Sequence, residues 1–485
     1  MTRLLGIDLG TTLCTAVVID ENGRTLETRS APIPTRYPEP GRVEQDPHDL
    51  VRAVSTVVQP LLGTHRIDAV GMDNQGESFL LWDRTTGEPV TPNIVWQDQR
   101  GAEVCRELAT RVDESALRHK TGLRLDSYFS APKLTQVLRT RPDLRDAARA
   151  GKLLFGTVET WTLWKLSDGR LHVTDPSTAS RTLLFDIHHL RWDDELLALF
   201  DIPAAILPEV RPSAGHVGTL SLGGLEVHAL AVDQQAALFG QACFSSGEAK
   251  CTFGTGSFLL MNTGATPRAS RHGLLTTVAW QLGTTTSYAL DGGIFCAGSA
   301  VQWLKEQLHV LATVAESSEV ARESTDHDVM VVPTLAGLAA PRWLTQVRGA
   351  VFGLSQSSTH RDLVRGTLDG IACQVFEVLR AMEHDVATPL QSLKVDGGPT
   401  ENAYLMQVLA DVLQRPVQVS AEKEATAVGS ANLALHALTG IPLSELARRW
   451  KARVTYEPRM PASRRDELLE RWERAVRAVQ AYHQG

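Results

Sequence analysis

The chain has 485 residues, 43% of them hydrophobic and 21% charged, with a formal net charge of -8 from 48 basic and 56 acidic residues. That length exceeds one compact core and suits two domains, and the composition excludes the disordered and fibrous classes. The mild acidity, with no basic run or tail, excludes the electrostatic footprint of a DNA- or RNA-binding protein. Nowhere do 18 apolar residues run together, so no membrane span is expected, and Met1 to Asp8 runs straight into a strand-like segment without the apolar core of an export signal. Six cysteines (Cys14, Cys105, Cys243, Cys251, Cys296 and Cys373) form no Cys-x-x-Cys pair, which fits reduced thiols in a cytoplasmic protein better than disulfides or zinc.

In chain order, apolar Leu4 to Ile7, a turn at Asp8-Leu9-Gly10-Thr11-Thr12 and β-branched Ala16 to Ile19 predict a hairpin, with a second hairpin close behind. Asp46 as N-cap and Pro47 at the first position start a helix whose apolar face is Leu50, Val51, Val54, Val57 and Val58. Strand-like Ala69 to Met72 and Phe79 to Trp82 continue an α/β pattern with a mostly buried sheet. Ala249 to Phe253, the turn Gly254-Thr255-Gly256-Ser257 and Phe258 to Met261 repeat the opening hairpin. A third small-residue turn, Asp396-Gly397-Gly398-Pro399-Thr400, follows the strand Leu393 to Val395 and precedes a helix with Leu405, Met406, Leu409 and Leu413 on one face. Two halves with similar beginnings predict a duplicated architecture divided near Cys243, into 1–242 and 243–485.

No Gly-x-x-x-x-Gly-Lys-Ser/Thr loop occurs, and Gly254-x-Gly256 lacks the third glycine of a dinucleotide fingerprint. What remains is a pair of tight turns, Gly10-Thr11-Thr12 and Gly254-Thr255-Gly256, whose small residues admit phosphate oxygens to backbone amides. Taken singly each reads as an ordinary hairpin turn. Beside them stand acids at the ends of apolar strands, Asp8 after Leu4 to Ile7 and Asp233 after Ala229 to Val232, where a carboxylate without a partner is costly. Asp98 and Arg100 read as a structural ion pair, and His188-His189, with no companion at metal-ligand spacing, as loop histidines.

Several segments resemble the FGGY carbohydrate kinases, and within them the glycerol kinase branch. They are Gly41-Arg42-Val43-Glu44-Gln45-Asp46-Pro47, Ile94-Val95-Trp96-Gln97-Asp98, Tyr128-Phe129-Ser130-Ala131, Thr174-Asp175-Pro176-Ser177-Thr178-Ala179-Ser180-Arg181-Thr182, Asp233-Gln234-Gln235 onward to Gly240, Phe253 to Gly264, and Val395-Asp396-Gly397-Gly398. The matches run in order from Leu4 to about Arg474. The resemblance implies two actin-like, hexokinase-like (ribonuclease H-like) α/β domains closing over a cleft, with substrate and base on 1–242 and nucleotide on 243–485. It implies ATP and Mg²⁺ as cofactors. A small-molecule polyol or sugar is the implied partner, with a homodimer left open.

Carried over position by position, the resemblance makes Asp233 the general base and Gln234 a substrate contact, and gives Asp8, with Asp233, the Mg²⁺. Thr11, Thr12, Thr255 and Gly256 would line the phosphates, Gly298 and Gln302 would touch the nucleotide, and Gly398 and Asn402 would flank the adenine. Gly76, Glu77, Trp96, Tyr128 and Phe258 match the acceptor pocket.

The pattern breaks in four places. The family's Asn-Gln-Arg-Glu reads Asn74-Gln75-Gly76-Glu77, which removes about two charge-assisted hydrogen bonds of roughly 1.5 to 3 kcal/mol each and is expected to leave room for a longer polyol or sugar. The family's Thr-Thr-Ser-Ser-Arg reads Thr11-Thr12-Leu13-Cys14-Thr15, losing a cation that would face the phosphates. Val217 to Gly224 is shorter than the glycine-rich loop through which some bacterial glycerol kinases bind fructose bisphosphate, so that control is not expected. After Gly337-Leu338-Ala339-Ala340-Pro341-Arg342-Trp343 the usual acid is Leu344. Two alternatives stay open: a kinase for a longer polyol or ketose such as erythritol or xylulose, and a catalytically weak nucleotide- or sugar-binding sensor.

Overall fold

In the computed structural model, which describes residues 2–325 and 328–484, the first apolar run becomes the strand Arg3–Leu9 and returns antiparallel as Leu13–Asp20. Met1 and Gly485, the outer ends of the two expected domains, lie outside the described residues. Thr25–Pro32 pairs antiparallel with Leu13–Asp20, so the two expected hairpins share their middle strand. On its other side Arg3–Leu9 pairs parallel with Ala69–Asn74, which pairs parallel with Glu226–Val232. The second half repeats the scheme. Ala249–Phe253 turns through Gly254-Thr255-Gly256 into antiparallel Ser257–Gly264 and pairs parallel with Leu393–Asp396.

Both halves contribute to one 13-stranded sheet. From one edge its order is Ala452–Tyr456, Val417–Ser420, Leu393–Asp396, Ala249–Phe253, Ser257–Gly264, Thr285–Ile294, Leu275–Leu282, Ala214–Thr219, Glu226–Val232, Ala69–Asn74, Arg3–Leu9, Leu13–Asp20 and Thr25–Pro32. Parallel strands need both faces covered. On one face of the first half lies the helix Pro47–Thr64, started by the Asp46 carboxylate accepting from His48 N, with Leu50, Val54, Val57, Val58 and Leu61 buried.

The opposite face receives Ala425–Thr439, a helix from the second half of the chain. It approaches so closely that a Cβ on Gly6 would lie 1.8 Å from Ala427 O, and one on Gly71 1.9 Å from Ser430 O. Glycine admits that contact where any side chain would force the layers apart. The same two strands end in Asp8 and Asp73, so this packing fixes the floor on which the acids stand.

Phe79–Asp83 is the buried strand expected, and it belongs to a separate four-stranded sheet ordered Glu44–Gln45, Asn93–Ile94, Phe79–Asp83, Leu153–Thr157. Its side chains alternate between two cores, Leu80 and Trp82 on one face, Phe79 and Leu81 on the other. A strand covered on both faces reads as a continuous apolar run whichever sheet it joins. Around the second half, the helix His360–Val386 anchors a core that includes Leu368, Ile371, Val375, Leu409 and Trp472. The architecture is two α/β domains. Among the described residues no helix is long and apolar enough to cross a membrane.

Candidate active site

Asp8 and Asp73 stand in register at the C-terminal ends of adjacent parallel strands. Asp233 follows Glu226–Val232, the strand beside Ala69–Asn74, as the first residue of the helix Asp233–Gly240. Asp8 Oδ1 and both Asp73 oxygens are buried without a hydrogen-bond partner. Burial is the main cause that holds both carboxyls above the usual range, and the nearby charge of Asp233 adds to it. The two carboxyls touch; as carboxylates neither donates, so the contact becomes a hydrogen bond only when one carries a proton. Asp233 is also raised by burial, against the pull of the Gln234 N–H, which donates to its Oδ1 at 2.7 Å, and of Lys250.

Lys250 is a fully buried cation on Ala249–Phe253, its Nζ donating to Gln234 Oε1 at 2.5 Å and Thr252 Oγ1 at 2.9 Å. It sets the orientation of the residue next to the base.

The turn Asn74-Gln75-Gly76-Glu77 carries the acceptor side. Gln75 N donates to Leu9 O at 2.8 Å, tying the turn to the first strand, and Glu77 takes a left-handed φ of 60°. A non-glycine residue held there costs about 1–3 kcal/mol, which the surrounding contacts must offset. Glu77 is buried, and burial raises its carboxyl to about 7 although Arg181 Nε donates to its Oε1 at 2.6 Å. Trp96 meets Tyr128 edge-on at 5.6 Å and Phe258 at 6.3 Å, and its Nε1 donates to Thr11 Oγ1 at 3.0 Å. A buried lysine, Lys133, donates to the carbonyls of Tyr128 at 2.9 Å and Trp96 at 3.2 Å from behind. These groups enclose a cavity of about 100 Å³, with Glu77, Arg181, Asp233, Gln234 and Asp291 as its polar lining. The Trp96–Thr11 bond joins the cavity to the first small-residue turn.

The second turn has its own neighbours. Gly254 N donates to Gly256 O, and the helix Gly298–Glu306 starts directly on the turn, with Ala297 N and Ser299 N both donating to Thr255 O. A Cβ on Gly298 would lie 2.6 Å from Gly254 O and 3.4 Å from Pro399 Cγ, so three separate segments close on one another here. Gly398 faces open space, and Asn402 caps the helix Ala403–Leu413 while its Nδ2 donates to Ser317 Oγ at 2.9 Å.

The expected residues therefore gather in two groups. Thr11, Gly76, Glu77, Trp96, Tyr128, Asp233, Gln234 and Phe258 share the cavity. Thr255, Gly256 and Gly298 meet around the second turn, where Pro399, next to Gly398, approaches Gly298, while Asn402 caps the helix that follows. Thr12 is exposed on the first turn, and Gln302 lies one helical turn beyond Gly298 with its amide on Glu306. Asp98 and Arg100 form the expected structural pair at 2.7 Å, with Arg100 also on Glu44, and His189 binds Asp186.

Beside Gly76 the wall is close: a Cβ at this position would lie 2.8 Å from Val232 Cγ2, with Arg181 Cγ in ordinary contact at 3.7 Å. Thr15, which replaces the family cation, pairs its hydroxyl with Ser30 Oγ.

Sequence reasoning assigned no role to Asp73, Lys133, Arg181, Lys250 or Asp291. Asp73 ends an apolar strand just as Asp8 and Asp233 do and was detectable by the same signal. Lys250 and Asp291 interrupt apolar runs, a weaker signal of the same kind.

Residues 3–240 match the profile of the FGGY family of carbohydrate kinases, N-terminal domain, and residues 249–438 that of its C-terminal domain. A glycerol kinase of Geobacillus kaustophilus is 43% identical over 99% of both chains, and one of Thermus thermophilus is likewise 43% identical over 99% of both. The crystal structure of Plasmodium falciparum glycerol kinase with ADP superposes with a TM-score of 0.93 at 30% identity, covering 99% of this chain and 98% of that one. A ligand-bound xylulose kinase from Lactobacillus acidophilus shares the fold, with a TM-score of 0.89 at 20% identity.

Proposed function

Because the chain belongs to the FGGY family of carbohydrate kinases, we propose that it transfers the terminal phosphoryl group of ATP to a hydroxyl of glycerol or a similarly small polyol. The observation that carries this reading is the small cavity in which a carboxylate base, Asp233, faces a buried Glu77–Arg181 pair between aromatic walls. A cavity of about 100 Å³ suits a small polyol.

In this reading Asp233 takes the proton of the attacking hydroxyl. The new O–P bond forms at the terminal phosphorus as its bond to the bridging oxygen of ADP breaks, and the proton passes from Asp233 to solvent. A carboxyl held above its ordinary range by burial is better matched to that proton than a solvated aspartate, and Gln234 N keeps it aimed. Glu77 and Gln234 hold acceptor hydroxyls, Gly76 lies on the pocket wall, and Trp96, Tyr128 and Phe258 cover the carbon edge. Thr11, Thr12, Thr255 and Gly256 line the phosphates, Gly298 and Gln302 contact the nucleotide, and Gly398 and Asn402 flank the adenine. A division near Cys243 leaves the base and most of the acceptor pocket on 1–242 and the nucleotide contacts on 243–485, with Phe258 crossing to the acceptor.

The unpartnered oxygens of Asp8 and Asp73 fit a hard divalent cation, and Asp8 and Asp233 would hold Mg²⁺. Mg²⁺ commonly keeps several of its waters, so contact through water fits these carboxylates. When bound, the ion neutralises charge on the terminal phosphates. Six free cysteines fit a cytoplasmic enzyme.

The test is ADP formation with Mg-ATP and glycerol, dihydroxyacetone, erythritol, xylitol, ribitol, D-xylulose or L-ribulose, beside a no-acceptor control. The highest kcat/KM with glycerol supports the reading. A longer acceptor at the top replaces the substrate, and no rate above the control replaces catalysis with sensing.

A further inference from the structure

Arg181 is fully enclosed where the acceptor cavity narrows, with only 5% of its surface exposed. Its Nε donates to Glu77 Oε1 at 2.6 Å, across 104 residues of sequence. Its Nη1 lies 2.9 Å from Asp291 Oδ2, on a strand of the second half, yet makes no well-directed hydrogen bond. The guanidinium carbon sits 6.0 Å from the Tyr128 ring and 5.5 Å from that of Phe129. Two carboxylates and two aromatic rings therefore surround a guanidinium that lines the cavity and whose Nη1 lacks a well-directed acceptor.

A buried guanidinium N–H left without an acceptor is costly, and a ligand oxygen removes the cost. The wall beside Arg181 is close: a Cβ at position 76 would press on Val232 Cγ2 at 2.8 Å and come into ordinary contact with the stem of Arg181 at 3.7 Å. Of the cations near the cavity, Lys250 is engaged by Gln234 and Thr252, and Lys133 points at backbone carbonyls behind the aromatic walls. Arg181 alone among these lines the cavity.

We propose that Arg181 grips hydroxyl oxygens of the acceptor, and that Glu77 and Asp291 position it. This rests on the reading of the cavity as a polyol site. Its fixed fork measures the separation of neighbouring hydroxyls, which makes it a determinant of acceptor choice.

The test compares wild type with Arg181→Lys and Arg181→Gln on glycerol, 1,2-propanediol and 1,3-propanediol. Arg181→Lys is expected to raise KM for glycerol about 10- to 100-fold, the value of one charge-assisted bond, with KM for ATP changed by less than about threefold. With whichever propanediol lacks the gripped hydroxyl, the loss is expected to shrink to less than about threefold. An equal loss on all three acceptors, or an unchanged KM for glycerol, overturns the proposal, since a merely structural arginine does not distinguish them.

Where removal of Arg181 exposes Glu77 and Asp291 to each other and the variants do not fold, Asp291→Asn keeps the arginine and loosens it. The same acceptor-dependent rise in KM, smaller in size, is expected, and a uniform effect overturns the proposal. Wild-type enzyme that phosphorylates no polyol overturns the polyol reading itself; active wild type with acceptor-blind variants overturns only the role of Arg181.

Discussion

Asp8 and Asp73 stand side by side on adjacent parallel strands, and three of their four carboxyl oxygens are buried with no hydrogen-bond partner. Helix Ala425–Thr439 presses onto these strands at Gly6 and Gly71, within two residues of each acid. Two carboxylates confined in this way are relieved either by a shared proton or by a cation.

The protein is therefore expected to gain thermal stability from Mg²⁺ alone at pH 8, by about 1.4 kcal/mol at ten times the dissociation constant. Asp8→Asn is expected to lose the concentration dependence. Scanning fluorimetry across a Mg²⁺ series checks both, and a flat wild-type response counts against the metal assignment.

Asp233→Asn is expected to lower kcat by about 10²- to 10⁴-fold, the usual contribution of a general base, without lowering the melting temperature. Removing one of three neighbouring acids relieves repulsion in the empty site. Retention of full kcat in the coupled ADP assay excludes Asp233 as the base.

Lys133 ties Trp96 and Tyr128 together through their carbonyls, from the helix Ser130–Thr140. Lys133→Met removes those donors and is expected to cost about 1.5–3 kcal/mol of stability. KM for the polyol rises while KM for ATP stays within about twofold. Urea unfolding and steady-state kinetics read the two effects separately, and equal rises in both KM values would sink the assignment.

Glu159 lies outside the cavity, with Oε1 accepting from Thr157 and Thr174 at 2.7 Å and Oε2 unpartnered. Burial pushes its carboxyl from 4.5 to about 7. A raised carboxyl pKa means that the folded state binds the proton more tightly, so its contribution is full below pH 4.5 and lost as pH rises through about 7. Glu159→Gln keeps the acceptor oxygen and removes this decline. At pH 8 the variant is expected to exceed wild type by about 1–3 kcal/mol in urea unfolding, with little difference at pH 5. A variant less stable at both pH values refutes it.

What was legible in the chain was local. The turns Gly10-Thr11-Thr12 and Gly254-Thr255-Gly256, the acids that close apolar strands, and the cap at Asp46 and Pro47 all declare themselves within a few residues, because turn chemistry and strand burial act at that range. The repeated hairpin revealed the duplicated plan, and the structure bears it out in two hairpins each flanked by a parallel strand. Phe79–Asp83 marks the limit: its apolar run declared a buried strand and nothing about which sheet would take it.

Tertiary structure alone decided the polar interior of the site. Glycine at 76 reads in the sequence as a loss, because the arginine that lines the same cavity lies 105 positions further on and is brought there by the packing of other segments. Arg181 meets Glu77 only when the first half folds and Asp291 only when the two halves meet, and Asp73 becomes a problem for Asp8 only when their strands pair in parallel. Sequence spelled out the turns and strand ends because those depend on neighbours in the chain; the site's charge balance depends on neighbours in space.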